Sequence, residues 1–168
     1  MTPAQAYPLI VIPGLEYLGD PYQSVEAQVL LMAIGITESG FRTRLQQPKD
    51  YAHGFWQFER QGGCAGFEID RAQAPFRAAA KTLYFPTTRT DTWTLLGKGA
   101  DSLAVIMARG LLWSDPAPLP APGEEKLAYE YYRRCWRPGK PSWTRWQGSY
   151  RAAMEICGVD APAEEMPV

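Results

Sequence analysis

Val25, Val29, Met32, Ala33 and Ile36 recur at the spacing that places apolar side chains along one face of a helix. Gly40 supplies its stop, so this helix ends near Glu38 or Ser39. Two starts are available. Asp20, followed by Pro21 and the amide Gln23, has the order of a capping side chain, a first-turn proline and a reciprocal partner; Ser24 is the second candidate cap. Pro3, Pro8, Pro13, Gly14 and Gly19 crowd the residues ahead of it, which read as an extended lead-in over 1–20.

Helical periodicity fades from Arg42 to Phe67. Glycines cluster there at Gly54, Gly62, Gly63 and Gly66, and Phe55-Trp56-Gln57-Phe58 reads as a short strand or a bent loop. Helices are predicted over 75–83, 92–96 and 100–112, the last capped by Asp101 or Ser102. The proline-rich run 115–123 cannot continue a helix and forms a stiff connector. A helix over 124–136 follows, acidic at its start and carrying Arg133 and Arg134 in its last turn, as the dipole favours. Residues 137–141 break it, and Ser142 caps a final helix to about Ile156. These elements predict a mainly α (α+β) fold: one domain over 21–157, with 158–168 as a flexible tail and no internal repeat.

Composition narrows the function. Lys and Arg number 17 against 18 Asp and Glu, a formal charge of −1, whereas a phosphate-tracking protein carries a basic excess; no nucleic-acid partner is expected. With 46% hydrophobic and 21% charged residues, the chain has the usage of a folded globule rather than a disordered one. Six Trp and nine Tyr supply a generous amount of flat, amphipathic surface. Cys64, Cys135 and Cys157 lack CxxC spacing and read as reduced thiols; His53 is the only histidine, so neither a histidine-based metal site nor a Ser-His-Asp triad is expected. No stretch has the apolar length of a membrane span. Tyr7 to Leu18 is apolar but lacks a basic leader and is interrupted by Pro8 and Pro13, so it does not read as a secretory signal, and synthesis in the cytoplasm is expected.

Glu38 carries the candidate chemistry. It stands where the first strong helix meets the glycine-rich aromatic region, at the unfavourable end of the helix dipole and beside side chains that exclude water. Both effects raise a carboxyl pKa. A carboxylic acid that keeps its proton near neutral pH is what glycosidic cleavage needs, because the leaving oxygen takes a proton as the bond breaks. The plainer alternative is a solvated glutamate at a helix end.

Glu38-Ser39-Gly40-Phe41, reached from Leu31-Met32-Ala33-Ile34-Gly35-Ile36-Thr37, resembles the catalytic-helix motif of soluble lytic transglycosylases and goose-type lysozymes. Their second motif, a glycine followed two apolar residues later by glutamine, is similar to Gly54-Phe55-Trp56-Gln57-Phe58. The wording around these motifs, with Trp136-Arg137-Pro138-Gly139-Lys140-Pro141, looks most like small lysozyme-like proteins of tailed bacteriophages. The third motif, Ala-Tyr-Asn, is matched in part: Ala128-Tyr129 is present, but Glu130 occupies the asparagine position. The resemblance is strong over 25–67 and weaker beyond.

The resemblance implies a lysozyme-like fold with a small β or loop lobe and a cleft for peptidoglycan glycan strands, working without metal or organic cofactor. It implies Glu38 as general acid and base, with Tyr129, or Tyr132 one turn on, near its carboxyl. Gln57 would hold sugar hydroxyls or the N-acetyl group, Ser39 would support the carboxyl or cap the helix end, and Phe55 is expected to face substrate more than Trp56. Arg42 and Arg44 are candidates for muramyl carboxylates, or else a solvated charge pair. Hydrolases need a second carboxylate; Asp50, Glu59, Glu68 and Asp70 are near enough in sequence, but no motif names one. Lytic transglycosylases use a single glutamate, which favours transglycosylation over a hydrolytic muramidase. The competing class is a catalytically inactive virion protein on the same fold. A monomer is expected, acting in the periplasm or cell wall, with other virion proteins as further partners.

Overall fold

The computed structural model describes residues 1–160. It is mainly helical, with one two-stranded sheet among those residues. The first twenty residues are not extended. Helix α1 (Pro3–Ala6) is closed by a capping box between Thr2 and Gln5, a wide π-helical turn spans Tyr7–Val11, and α2 covers Ile12–Leu18. Pro3 opens α1, where a missing N–H costs little, while Pro8 and Pro13 lie within and just after the π-helical turn, where the regular i→i−4 ladder is interrupted. Gly14 is a packing residue: a Cβ there would lie 2.6 Å from Val105 Cγ1. Ala6, Ile10, Val11 and Leu15 are buried, so this segment belongs to the core, and the domain begins well before residue 21.

Helix α3 (Val25–Glu38) is capped by Ser24, whose side chain accepts from Ala27 N, rather than by Asp20. Residues 29–35 are all buried, so α3 is wrapped on every side and runs through the centre of the molecule. It packs along α9 (Trp143–Ile156), with Trp146, Tyr150 and Ala153 buried on α9. Helix α7 (Asp101–Trp113) is buried almost throughout and contacts α2, α3 and α5 (Ala74–Thr82). Helix α8 (Glu125–Trp136) is amphipathic and turns Ala128, Tyr131 and Tyr132 inward. Tyr131 Oη donates towards Leu112 O (2.8 Å) and Ala117 O (3.2 Å), tying the proline-rich connector to the helical body.

The small lobe is a hairpin of β1 (Ala52–His53) and β2 (Phe58–Glu59), paired Ala52 with Glu59 and His53 with Phe58, so Phe55-Trp56-Gln57 is the turn and not a strand. Helix α4 (Gly63–Ile69) follows, in chain the glycines had marked as loop. A Cβ on Gly63 would sit 2.4 Å from Phe58 Cδ1, so this glycine serves the packing of helix on hairpin. Helix α6 (Arg89–Gly97) is longer than its periodicity indicated because Thr88 caps it earlier. His53 is buried and structural: its ring stacks on Trp93 at 3.6 Å, Nδ1 meets Trp93 O at 2.7 Å and Nε2 meets Asp50 Oδ1 at 2.8 Å. The three cysteines are free, with burial pushing Cys64 and Cys157 up to about 11 and Cys135 to about 12. At the carboxy end Val159 N donates to Met154 O and Val159 packs against the core, so the expected tail starts later than 158; its remainder, 161–168, lies outside the described residues. No helix among the described residues is long and apolar enough to cross a membrane.

Candidate active site

A cleft of about 1250 Å³ is lined by residues of α3, the hairpin, α4, α7, α8 and α9, with Glu38, Gln57 and Tyr132 among them. Glu38 is the last residue of α3. The chain reverses behind it through Gly40 (φ 60°) and Phe41 (φ 54°), and the Phe41 ring folds back onto α3 where Gly35 has no side chain; a Cβ on Gly35 would lie 2.3 Å from Phe41 Cζ. Phe41 is fully buried and touches Phe55 and Trp56 at ring separations of 5.3 and 5.6 Å. Trp56 Nε1 donates to Leu31 O at 2.9 Å, so the hairpin turn is pinned to the middle of α3.

Tyr132 Oη donates to Glu38 Oε1 at 2.5 Å. It is the one hydrogen-bond partner of that carboxyl among the described residues, and by occupying Oε1 it leaves Oε2 to carry a proton. Burial pushes Glu38 above the ordinary carboxylate value; the Tyr132 hydrogen bond and the Arg145 charge pull it back only in part. The dipole of α3 acts in the same sense as burial. Burial and the adjoining Glu38 also push the Tyr132 phenol far up, so it stays a donor at any physiological pH. The result is a carboxyl that holds its proton more tightly than an exposed one, lining an open cleft and oriented by one hydrogen bond.

Of the two expected tyrosines, Tyr132 reaches the carboxyl. Tyr129 does not; it packs against Trp143 and Trp146, at 5.1 and 5.8 Å, and carries the Arg133 guanidinium over its ring. Tyr132 itself stacks on Trp146 at 4.9 Å, which fixes its ring. Phe55 does not face the cleft: it is 1% exposed and Trp56 0%, because both rings are consumed in the packing against Phe41. Ser39 lines the cleft, but its hydroxyl is committed, donating to Phe55 O at 2.7 Å and accepting from Phe41 N at 3.1 Å. Gln57 takes a left-handed backbone (φ 53°), and its Nε2 donates to Gly54 O at 2.8 Å, which fixes the amide and leaves its oxygen free of protein partners among the described residues.

Arg44 is spent on Asp101 in a two-pronged ion pair (2.8 and 2.7 Å), with its guanidinium over the Phe55 ring at 4.2 Å. Arg42 is exposed and does not line the cleft. Among the four carboxylates considered, Asp50 pairs with His53 and Glu68 with Arg89, both away from the cleft. Asp70 lines it but its side chain accepts from Ala72 N; Glu59 lines it without an ion pair among the described residues. Asp115 also lines it, held below its ordinary value by Arg134.

The cleft brings in residues that the motifs did not single out as site residues. Trp136 presents a partly buried indole to it, with Nε1 donating to Trp56 O at 3.0 Å, and Arg137, Lys140 and Arg145 line the same wall. The sequence signal for Trp136, Arg137 and Lys140 was the Trp136-to-Pro141 run itself; Arg145, in the first turn of α9, had none. Among the described residues no group of three or more His, Cys, Asp or Glu gathers to hold a metal ion.

Comparison with protein-family models, with curated proteins and with solved structures gave no significant match.

Proposed function

We propose that this protein is a peptidoglycan lytic transglycosylase on a lysozyme-like fold, cleaving the β-1,4 bond between N-acetylmuramic acid and N-acetylglucosamine. The observation that carries this reading is the Glu38–Tyr132 pair: a carboxyl whose hold on its proton is raised by burial, oriented by a phenol and lining a cleft of about 1250 Å³. In the reaction, Glu38 gives its proton to the glycosidic oxygen as the bond from muramyl C1 to that oxygen breaks, releasing the 4-hydroxyl of the next sugar. The resulting carboxylate takes the proton of the muramyl 6-hydroxyl while O6 bonds to C1, closing a 1,6-anhydro ring and restoring the acid. Gln57 supports the sugar beside the bond, and Trp136 offers it a stacking face.

A hydrolytic muramidase is the second reading, favoured by Glu59, a cleft carboxylate with no ion-pair partner among the described residues. Digestion of purified peptidoglycan tests both. Loss of turbidity is expected with the wild type, and Glu38→Gln should slow it at least ~10²-fold, the range of a lost general acid. Equal rates, or no cleavage by either, would sink the enzymatic reading in favour of an inactive virion protein. Mass spectrometry of the soluble fragments separates the two chemistries: anhydro ends for transglycosylation, reducing ends for hydrolysis. The site of action proposed is the periplasm or cell wall, after synthesis in the bacterial cytoplasm of a host carrying a tailed bacteriophage or prophage.

A further inference from the structure

Within the cleft the fixed charges are segregated by segment. The stretch 59–70 contributes Glu59 and Asp70, while 134–145 contributes Arg134, Arg137, Lys140 and Arg145. Arg134 is spent on Asp115 at 3.0 Å. Arg137, Lys140 and Arg145 have no ion pair or side-chain hydrogen bond among the described residues, and all three are exposed. Ser142, the cap of the 14-residue helix α9, lines the cleft beside them, so the positive end of that helix adds to the same wall. Arg137 ends α8 with φ 47° and ψ 52°, a left-handed conformation that glycine and asparagine also suit.

We propose that Arg137, Lys140 and Arg145, with the amino end of α9, form an anion subsite of the cleft that takes carboxylates carried on the muramyl side chain of a glycan strand. The proposal rests on the peptidoglycan reading of the cleft. A neutral sugar backbone gives an unpaired cationic wall nothing to hold, whereas muramic acid carries a lactyl group that is either a free carboxylate or the attachment point of a peptide bearing carboxylates. Arg145 lines the same cleft as Glu38 and Tyr132, which places the subsite beside the proposed reacting centre. The strand is thereby oriented, with its acidic substituents towards α8 and α9 and away from Glu59 and Asp70.

The test is binding in the Glu38→Gln background, so that substrate persists. Three probes are used at low salt: intact sacculi, sacculi whose carboxyls have been coupled to ammonia as neutral amides, and a neutral chitooligosaccharide. The protein should bind intact sacculi about tenfold more tightly than amidated ones. Arg137→Asn with Lys140→Gln, which suits the left-handed position and removes two charges, should abolish that preference while keeping the affinity for chitooligosaccharide. Equal binding of intact and amidated sacculi, or a preference that survives the double substitution, overturns the subsite and leaves the glycan reading standing. Failure to bind all three probes overturns both. Strands stripped of peptide by an amidase identify the carboxylate: a preference kept on them assigns the lactyl group, and one lost assigns the peptide.

Discussion

The Ser39 hydroxyl donates to Phe55 O at 2.7 Å, and through that bond the residue after the proposed acid holds the hairpin turn that carries Gln57. Glu38 and Gln57 line one cleft because Ser39 and Phe41 fasten the turn to the end of α3, with Trp56 Nε1 on Leu31 O as a second anchor. Removing the hydroxyl leaves a carbonyl oxygen short of a donor in a partly buried place. Ser39→Ala should therefore cost about 1–2 kcal/mol, and thermal unfolding should move down by roughly 3–6 °C. An unchanged transition would show that the bond is not structural.

Gly35 and Phe41 make the complementary case. A methyl group at Gly35 would lie 2.3 Å from the buried Phe41 ring, whose own neighbours are Phe55 and Trp56. Alanine is the better helix former by about 1 kcal/mol, but overpacking of a full core costs about 1–3 kcal/mol, and here the ring has nowhere to go. Gly35→Ala is expected to destabilise on balance and to cut cleavage by displacing the turn behind Glu38. A variant as stable as the wild type, measured by denaturant unfolding, would contradict this packing account.

Much of this was legible in the chain because local signals agreed with the tertiary outcome. The helices α7, α8 and α9 follow from apolar spacing, Ser142 and the prolines between them, and α3 from its run to Glu38. The helical start of the chain was hidden because Pro3, Pro8, Pro13 and Gly14 read as breakers, whereas Pro3 opens α1, Pro8 and Pro13 fall at the π-helical turn, and Gly14 makes room for Val105. Helix α4 was hidden the same way by Gly63, which clears Phe58. In the site, Glu38 and Gln57 were readable from their motifs. The choice of Tyr132 over Tyr129 depends on the rotation of α8 against Trp146, and the burial of Phe55 depends on Phe41, neither of which spacing encodes.

Glu38 also links stability to pH in a direction that can be worked out. Its carboxyl is raised in the folded protein, so between the ordinary carboxylate value and the raised one the native state holds a proton that the unfolded chain has lost. Stability contributed by this group is full below the ordinary value and declines as pH rises through that window. Glutamine cannot ionise and keeps an oxygen for the Tyr132 hydroxyl. Glu38→Gln should equal or exceed the wild type in stability at pH 7, and its advantage should shrink as the pH is lowered through that window and level off below the ordinary carboxylate value. A variant clearly less stable at pH 7 would mean that ionised Glu38 is favoured by the fold.

The pH profile of cleavage then reports on the partners of Glu38. In the proposed reaction Glu38 must be protonated to begin, so cleavage is expected to fall on the alkaline side as Glu38 loses its proton. Tyr132 and Arg145 both hold the Glu38 value down, so removing either raises it. Tyr132→Phe should lower the maximal rate by about tenfold, the worth of about 1.4 kcal/mol for one hydrogen bond to an ionisable group, while moving the alkaline limb to higher pH. Arg145→Gln should move the limb in the same direction through loss of charge alone, and its shift should diminish in high salt, where the screening length contracts to a few ångströms. A limb that moves to lower pH in Tyr132→Phe, or does not move in either variant, would place the titrating group elsewhere than Glu38.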